Sequence, residues 1–171
     1  MHQTKKGNQY LFGMKAHIGA EVESGLAHHV HGTAANVADV TQVAELLHGE
    51  ENAVYADASY TGSEKREARS EKREAHAGRA VIWQIAARRS TYLTLSRRCL
   101  IYKVKRRIER TKAQTQAKVE HPFRVIKRQF GYVQTRFCGL VKNTAQLTTL
   151  FALSNLWMAR KHVMGRGELR V

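Results

Sequence analysis

The sequence predicts a mixed α/β fold, and three patterns carry that expectation. Residues 9–20, QYLFGMKAHIGA, alternate with the period of a strand, Val37, Val40, Val43, Leu46 and Leu47 recur at helical spacing, and Leu147, Leu150, Phe151, Leu153, Leu156 and Trp157 line a long apolar helix. The chain has 171 residues and is 43% hydrophobic, enough for one globular domain with a core and too little for two ordinary ones.

Taken in order, Phe12, Met14, Ala16 and Ile18 share one face of the first strand, with Gly13, Lys15 and His17 on the other. Ser24-Gly25 forms a turn, and LAHHVHG at 26–32 reads as the second strand of a hairpin. A helix is expected over 36–48, with Asn36 and Asp39 of TAANVAD as N-cap and first-turn residues. AVYAD at 53–57 is a short strand ending at Asp57 and the turn ASYTG, so the chain opens β-β-α-β. SEKREAR at 63–69 and SEKREAH at 70–76 form a near-perfect heptad duplicate, read as a solvated helix laced with Glu–Lys/Arg pairs and assigned no chemistry. AVIWQIAA at 80–87 predicts a buried strand holding Trp83.

Residues 88–118, with RRS, SRR and KVKRRIERTK, read as a nucleic-acid surface or an arm that orders on binding. A helix follows at 118–130. It contains Pro122, the only proline, which removes a hydrogen bond to residue 118 and predicts a kink or break two residues after Glu120. The last helix is expected to start near Asn143, where Asn143 and Gln146 have capping-box spacing, and the tail RKHVMGRGELRV at 160–171 is expected to fray.

The formal charge of +15 and pI near 10.3 point to a polyanionic partner. The charge is uneven: residues 1–60 hold three Lys and seven acids, whereas residues 61–171 hold 26 Lys or Arg and seven acids. Nucleic acid is the leading partner, met mainly by the second part of the chain. Cys99 and Cys138 lack a CxxC partner and read as thiols of a reducing compartment. The sequence carries no apolar run of eighteen and no apolar leader, so the expectation is a cytoplasmic protein with no membrane partner.

Candidate chemistry concentrates in KVEHPFRVIKRQF at 118–130. On a helix, Glu120, Arg124 and Lys127 fall at i, i+4 and i+7, while Val119, Phe123, Ile126 and Phe130 form the apolar side. A carboxylate held beside positive charge suits a metal ion and a phosphate chain; it equally describes a surface Glu–Arg pair. Asp57, at a strand end, is the second candidate acid, and two or three converging carboxylates can hold divalent ions. His29 and His31 share a strand face while His28 points away, with no third ligand close in sequence, so the three are assigned structural or solvent-facing roles. Trp83 and Trp157 are assigned to the core, and no GxxxxGK[ST] or GxGxxG motif supports a nucleotide-driven mechanism.

The segments GNQYLFGMKAHIGAEVESGLAHHVHGTAANVAD, VYADASYTG, VIWQIAARR and KVEHPFRVIKRQFGYVQTRFCGLVKNTAQL resemble, in order and spacing, the catalytic core of insertion-sequence DDE transposases, the IS-five group of the wider IS-four-like class. The resemblance covers 1–160 as one catalytic domain, with 63–117 a divergent basic insertion-like region and 161–171 a tail. It implies an RNase H-like mixed sheet flanked by helices, in which three acids bind Mg²⁺ (or Mn²⁺) for DNA cleavage and strand transfer. Carried over, Asp57 is the second acid and Glu120 the third, both as catalytic metal ligands. Lys127 matches the lysine of the family's Tyr-Arg-Glu-Lys signature, expected to contact the transposon end, and Arg124, Arg128 and Lys15 join it along the DNA backbone. The implied partners are double-stranded DNA, as terminal repeats and target, and a second copy or a full-length transposase. The implied location is the bacterial cytoplasm, on the nucleoid when DNA is bound.

The sequence also departs from the family pattern. The family's first aspartate lies on a strand upstream of the region matching MHQTKKGNQY, so the expectation is a truncated chain missing that strand and impaired in catalysis. The alternative is a non-catalytic DNA-binding remnant that binds transposon ends or interferes with the full-length enzyme. The signature arginine falls at Gln116 and its tyrosine at Ala113, with Lys118 or Arg110 as substitutes for the arginine's charge.

Overall fold

The alternating segment becomes the longest strand of the structure, a computed structural model that describes residues 2–6, 8–62, 81–88, 91 and 95–167. Strand β2 (Gln9–Ala20) pairs antiparallel with β1 (His2–Lys6) on one side and β3 (Ala27–Ala34) on the other. β1 adds to the sequence expectation. Its register, from His2 opposite Gly13 to Lys6 opposite Gln9, leans on the long edge of β2, and the Lys5 ammonium sits 5.6 Å from the centre of the Tyr10 ring opposite it. The β2–β3 hairpin forms as expected. Gly25 takes φ 72° and its N–H donates to the Glu21 carbonyl at 2.9 Å, a conformation that favours glycine.

The duplicated tract at 63–76 lies outside the described residues. The described residues form two compact units, Met1–Val37 with Val119–Val171, and Ala38–Lys118.

In the first unit, Met14, Ala16, Ile18, Ala27 and Val30 of the antiparallel sheet pack on a core of Ile126, Leu147 and Phe151. Phe123 meets Phe151 edge to face, with ring centroids 5.0 Å apart. Ile126 and Phe123 come from helix α2 (Leu100–Arg128), and Leu147 and Phe151 from helix α3 (Leu140–Gly167). The helix at 118–130 is thus the end of a longer one, and it runs through Pro122 instead of breaking there. The Pro122 ring is fully buried beside Val125 and Ile126, so packing opposes the loss of one backbone hydrogen bond.

Helix α3 begins three residues before the expected start. Asn143 is not its N-cap. Fully buried, Asn143 reaches back to the preceding loop: its Nδ2 donates to the carbonyls of Phe137 and Gly139, both at 2.6 Å, and its Oδ1 accepts from the Phe137 N–H at 3.2 Å. The helix also continues past residue 161 to Gly167, correcting the expected frayed tail over those residues. The Arg160 guanidinium stacks 3.5 Å from the Trp157 ring centre and its Nη1 donates to the Trp157 carbonyl. Only one face of α3 is core, since Leu153 and Leu156 are exposed. Near its other end, the Asn155 amide accepts from the Ala27 N–H at 3.0 Å and donates to the Ala27 carbonyl at 2.7 Å.

Helix α3 crosses β3 at Gly32. A Cβ there would lie 2.2 Å from the Thr144 Oγ1 and 2.9 Å from the Met14 Cε. Gly32→Ala is therefore expected to lower the unfolding free energy by about 1–3 kcal/mol, with partial recovery in Gly32→Ala/Thr144→Ala, as read by urea titration of both variants.

In the second unit, the helix expected over 36–48 shortens to a 3₁₀ turn (Asp39–Gln42) and α1 (Val43–Leu46). Ala38 occupies the N-cap position with no side-chain cap bond, so Asn36 does not cap it; Asp39 is in the first turn as expected. Leu47 turns extended because the Glu51 carboxylate captures the N–H groups of His48 and Gly49, at 2.6 and 2.8 Å. β4 (Ala53–Ala56) pairs parallel with β5 (Ile82–Ile85), Ala53 opposite Ile82 and Ala56 opposite Ile85. β5 is only half-buried, and Ile82 is exposed. The Glu109 carboxylate accepts from the Ala87 N–H at 3.0 Å and pairs with Lys112 at 3.3 Å, and Lys112 donates to the Ile85 carbonyl at 2.9 Å. These bonds tie α2 to the end of β5, and residues 100–118 are regular helix and not an irregular arm.

Candidate functional site

In the second unit, β4 delivers Asp57 immediately after its last residue, with extended φ −76° and ψ 177°. The Asp57 Oδ1 accepts from the Ser59 N–H at 2.8 Å and the Ser59 Oγ at 2.5 Å, capping a 3₁₀ turn (Ala58–Tyr60). Gly62, at φ 95°, then lets the chain leave. The carboxylate is exposed to solvent and fixed in orientation by Ser59.

Tyr60 closes this turn. Burial, then the negative charge of Asp39 and of Asp57, pushes its phenol up to about 12. Asp39, read from sequence as a first-turn residue, thus belongs to the same electrostatic neighbourhood as Asp57. Neither Tyr60 nor this role of Asp39 was foreseen; the signal available was the tyrosine three residues after Asp57. Below pH 10 the phenol is neutral in both folded and unfolded chains and adds no pH dependence. Between the unfolded value near 10 and the folded value near 12 the unfolded chain ionises first, so stability falls. The loss is expected to be about 1–2 kcal/mol after allowance for solvent screening of a partly buried side chain. Tyr60→Phe should flatten that part of the stability profile between pH 10 and 12, measured by urea unfolding.

In the first unit, Glu120, Arg124, Lys127 and Arg128 all lie on the exposed side of α2, opposite Val125 and Ile126. Glu120 makes no salt bridge with Arg124 or Lys127 among the described residues, which leaves its carboxylate open to solvent. Lys15 is only half-exposed on β2, and its ammonium donates to the Val37 carbonyl at 2.8 Å. Gln116, at the signature arginine's position, belongs to the second unit and is half-buried, with an Nε2 that has no hydrogen-bond partner among the described residues. The nearby histidines sort by register: His17 stands opposite His31, His17 is buried with Nε2 2.8 Å from the Thr33 Oγ1, and His28 is exposed.

Asp57 belongs to one unit and Glu120 to the other. Among the described residues, no three His, Cys, Asp or Glu side chains gather closely enough to hold a metal ion. The donor chemistry of the two candidates, exposed carboxylate oxygens, suits a hard divalent cation such as Mg²⁺. Among the described residues, no helix is long and apolar enough to cross a membrane. No solved structure matches the chain. A family model for the transposase DDE domain matches residues 1–156.

Proposed function

The chain belongs to the transposase DDE domain family, and from that membership we propose that Asp57 and Glu120 are two acids of a metal-dependent site for DNA cleavage and strand transfer at insertion-sequence ends, of the IS-five group. The observation that carries this reading is Asp57 itself: a solvent-facing carboxylate presented at a strand end and held by Ser59 in a chain of this family. A bound Mg²⁺ or Mn²⁺ would supply activation of a water or 3′-hydroxyl and stabilisation of the departing oxygen. Ser59 keeps the Asp57 carboxylate in one orientation. Glu120 offers a carboxylate unencumbered by an ion pair, and Arg124, Lys127 and Arg128 beside it draw the phosphate backbone of the transposon end. Lys15 contributes least, because part of its hydrogen bonding is committed to Val37.

This reading takes residues 1–160 as one catalytic domain of RNase H-like architecture, which the antiparallel strands, the later parallel pair and the closing helices support. It acts as a homodimer or alongside a full-length transposase. The test is nicking of labelled transposon-end duplex by the purified chain with Mg²⁺ or Mn²⁺. Specific nicking is expected, reduced on the order of 100-fold or more by Asp57→Asn and by Glu120→Gln. Nicking unchanged in both variants would overturn the assignment of the acids. A folded chain that binds the ends and never nicks them would leave the non-catalytic DNA-binding remnant as the function.

A further inference from the structure

The first half of α2 carries a feature that the proposed acids do not use. Tyr102, Lys103, Arg106, Arg107 and Arg110 line an open hollow of about 520 Å³ along one side of the helix. Their spacing, i to i+8, returns to the same face over two turns and spreads four cations along roughly 10 Å.

Local electrostatics disfavour this arrangement. Lys103–Arg107 and Arg106–Arg110 are like-charge pairs at i, i+4, which disfavour the helix. The first turn of α2 has no acid, and Lys103 sits where the helix dipole repels a cation. The acid closest in sequence, Glu109, is already committed to Lys112 and the Ala87 N–H. Among the described residues no carboxylate pairs with Lys103, Arg106, Arg107 or Arg110, and all four are exposed. A cluster of unpaired cations, planar guanidinium forks at three of them and a phenol at the rim form a binding surface for consecutive phosphates.

We propose that this face of α2, Lys103, Arg106, Arg107 and Arg110 with Tyr102, grips the sugar-phosphate backbone of duplex DNA independently of base sequence. It rests on the reading of the chain as a DNA-processing transposase, and it gives the chain a backbone contact separate from Arg124, Lys127 and Arg128. Duplex DNA is the occupant because it is the family's substrate class and because its phosphates follow one another at spacings that a two-turn cationic stripe can span.

The experiment compares two double variants of the 171-residue chain with equal loss of charge, Arg106→Gln/Arg110→Gln and Arg136→Gln/Lys142→Gln, in binding to a random-sequence DNA duplex over a salt series. Circular dichroism confirms that each is helical. Arg106→Gln/Arg110→Gln is expected to reduce the log–log salt slope by about 1.8 and to weaken binding more than tenfold at low salt, while the other pair changes the slope by well under 1. Arg106→Lys/Arg110→Lys should restore most of the slope. Equal slopes in the two glutamine variants would overturn the proposal, as would tighter binding of duplex RNA with the same dependence on Arg106 and Arg110. These outcomes are read from non-specific binding, so they stand apart from the nicking assay: loss of nicking with an intact salt response would fail the catalytic reading and leave this surface in place.

Discussion

Phe151→Ala is expected to cost about 3–5 kcal/mol of stability, measured by urea or thermal unfolding of the full chain. Phe151 is 1% exposed, clusters with Ile126 and Leu147, and meets the Phe123 ring edge to face. Truncation removes the transfer free energy of a full aromatic ring, opens a cavity bounded by two helices and a sheet, and ends an aromatic pair worth about 0.5–1.5 kcal/mol. Leu153→Ala, two residues along the same helix, is the internal comparison. That side chain is 43% exposed, and its loss should cost less than about 1 kcal/mol. Similar effects at the two positions would show that α3 does not pack on the face described.

Asn143→Asp should be nearly as damaging, at about 3–4 kcal/mol near neutral pH, although it changes one atom group. The amide donates to two carbonyls and accepts from one N–H, all in the loop before α3. An aspartate keeps the acceptor for the Phe137 N–H but sets its second oxygen against the carbonyls of Phe137 and Gly139, with no proton between them. Such a buried carboxylate has a folded-state pKa above its unfolded value near 4, so stability is greatest below that value and is lost as pH rises through the folded pKa. Partial recovery at acid pH, followed by unfolding midpoint, is the expected signature. A deficit that is independent of pH would mean that the loop rearranges instead.

What could be read from the sequence follows a physical division. The exposed Glu120–Arg124–Lys127 side of α2 and its apolar back at Val119, Phe123 and Ile126 were visible because helical periodicity depends only on local geometry. Asp57 at a strand end was visible for the same reason. Pro122 misled because its backbone cost is local whereas the full burial of its ring is a property of the folded unit. Asn143 misled because the residue type that caps a helix can also bond backward from its first turn into a loop. That residues 100–118 are regular helix and not an arm was hidden in the sequence, because the anchors on β5 through Glu109 and Lys112 are long-range facts. The division of Asp57 and Glu120 between two units has no local signature at all.

The Asn155 amide has a consequence for the life of the chain in a crowded solution. Among the described residues β3 is an edge strand of its sheet, and an edge strand offers its backbone to any extended segment that drifts past. At Ala27 that offer is already taken, because one side-chain amide supplies both the acceptor and the donor that a neighbouring peptide group would bring. Asn155 thus impersonates a single residue of a fourth strand. The rim of the sheet is sealed there, opposite the register shift at Gly19/Ala20, and recruitment of a passing chain has to begin elsewhere.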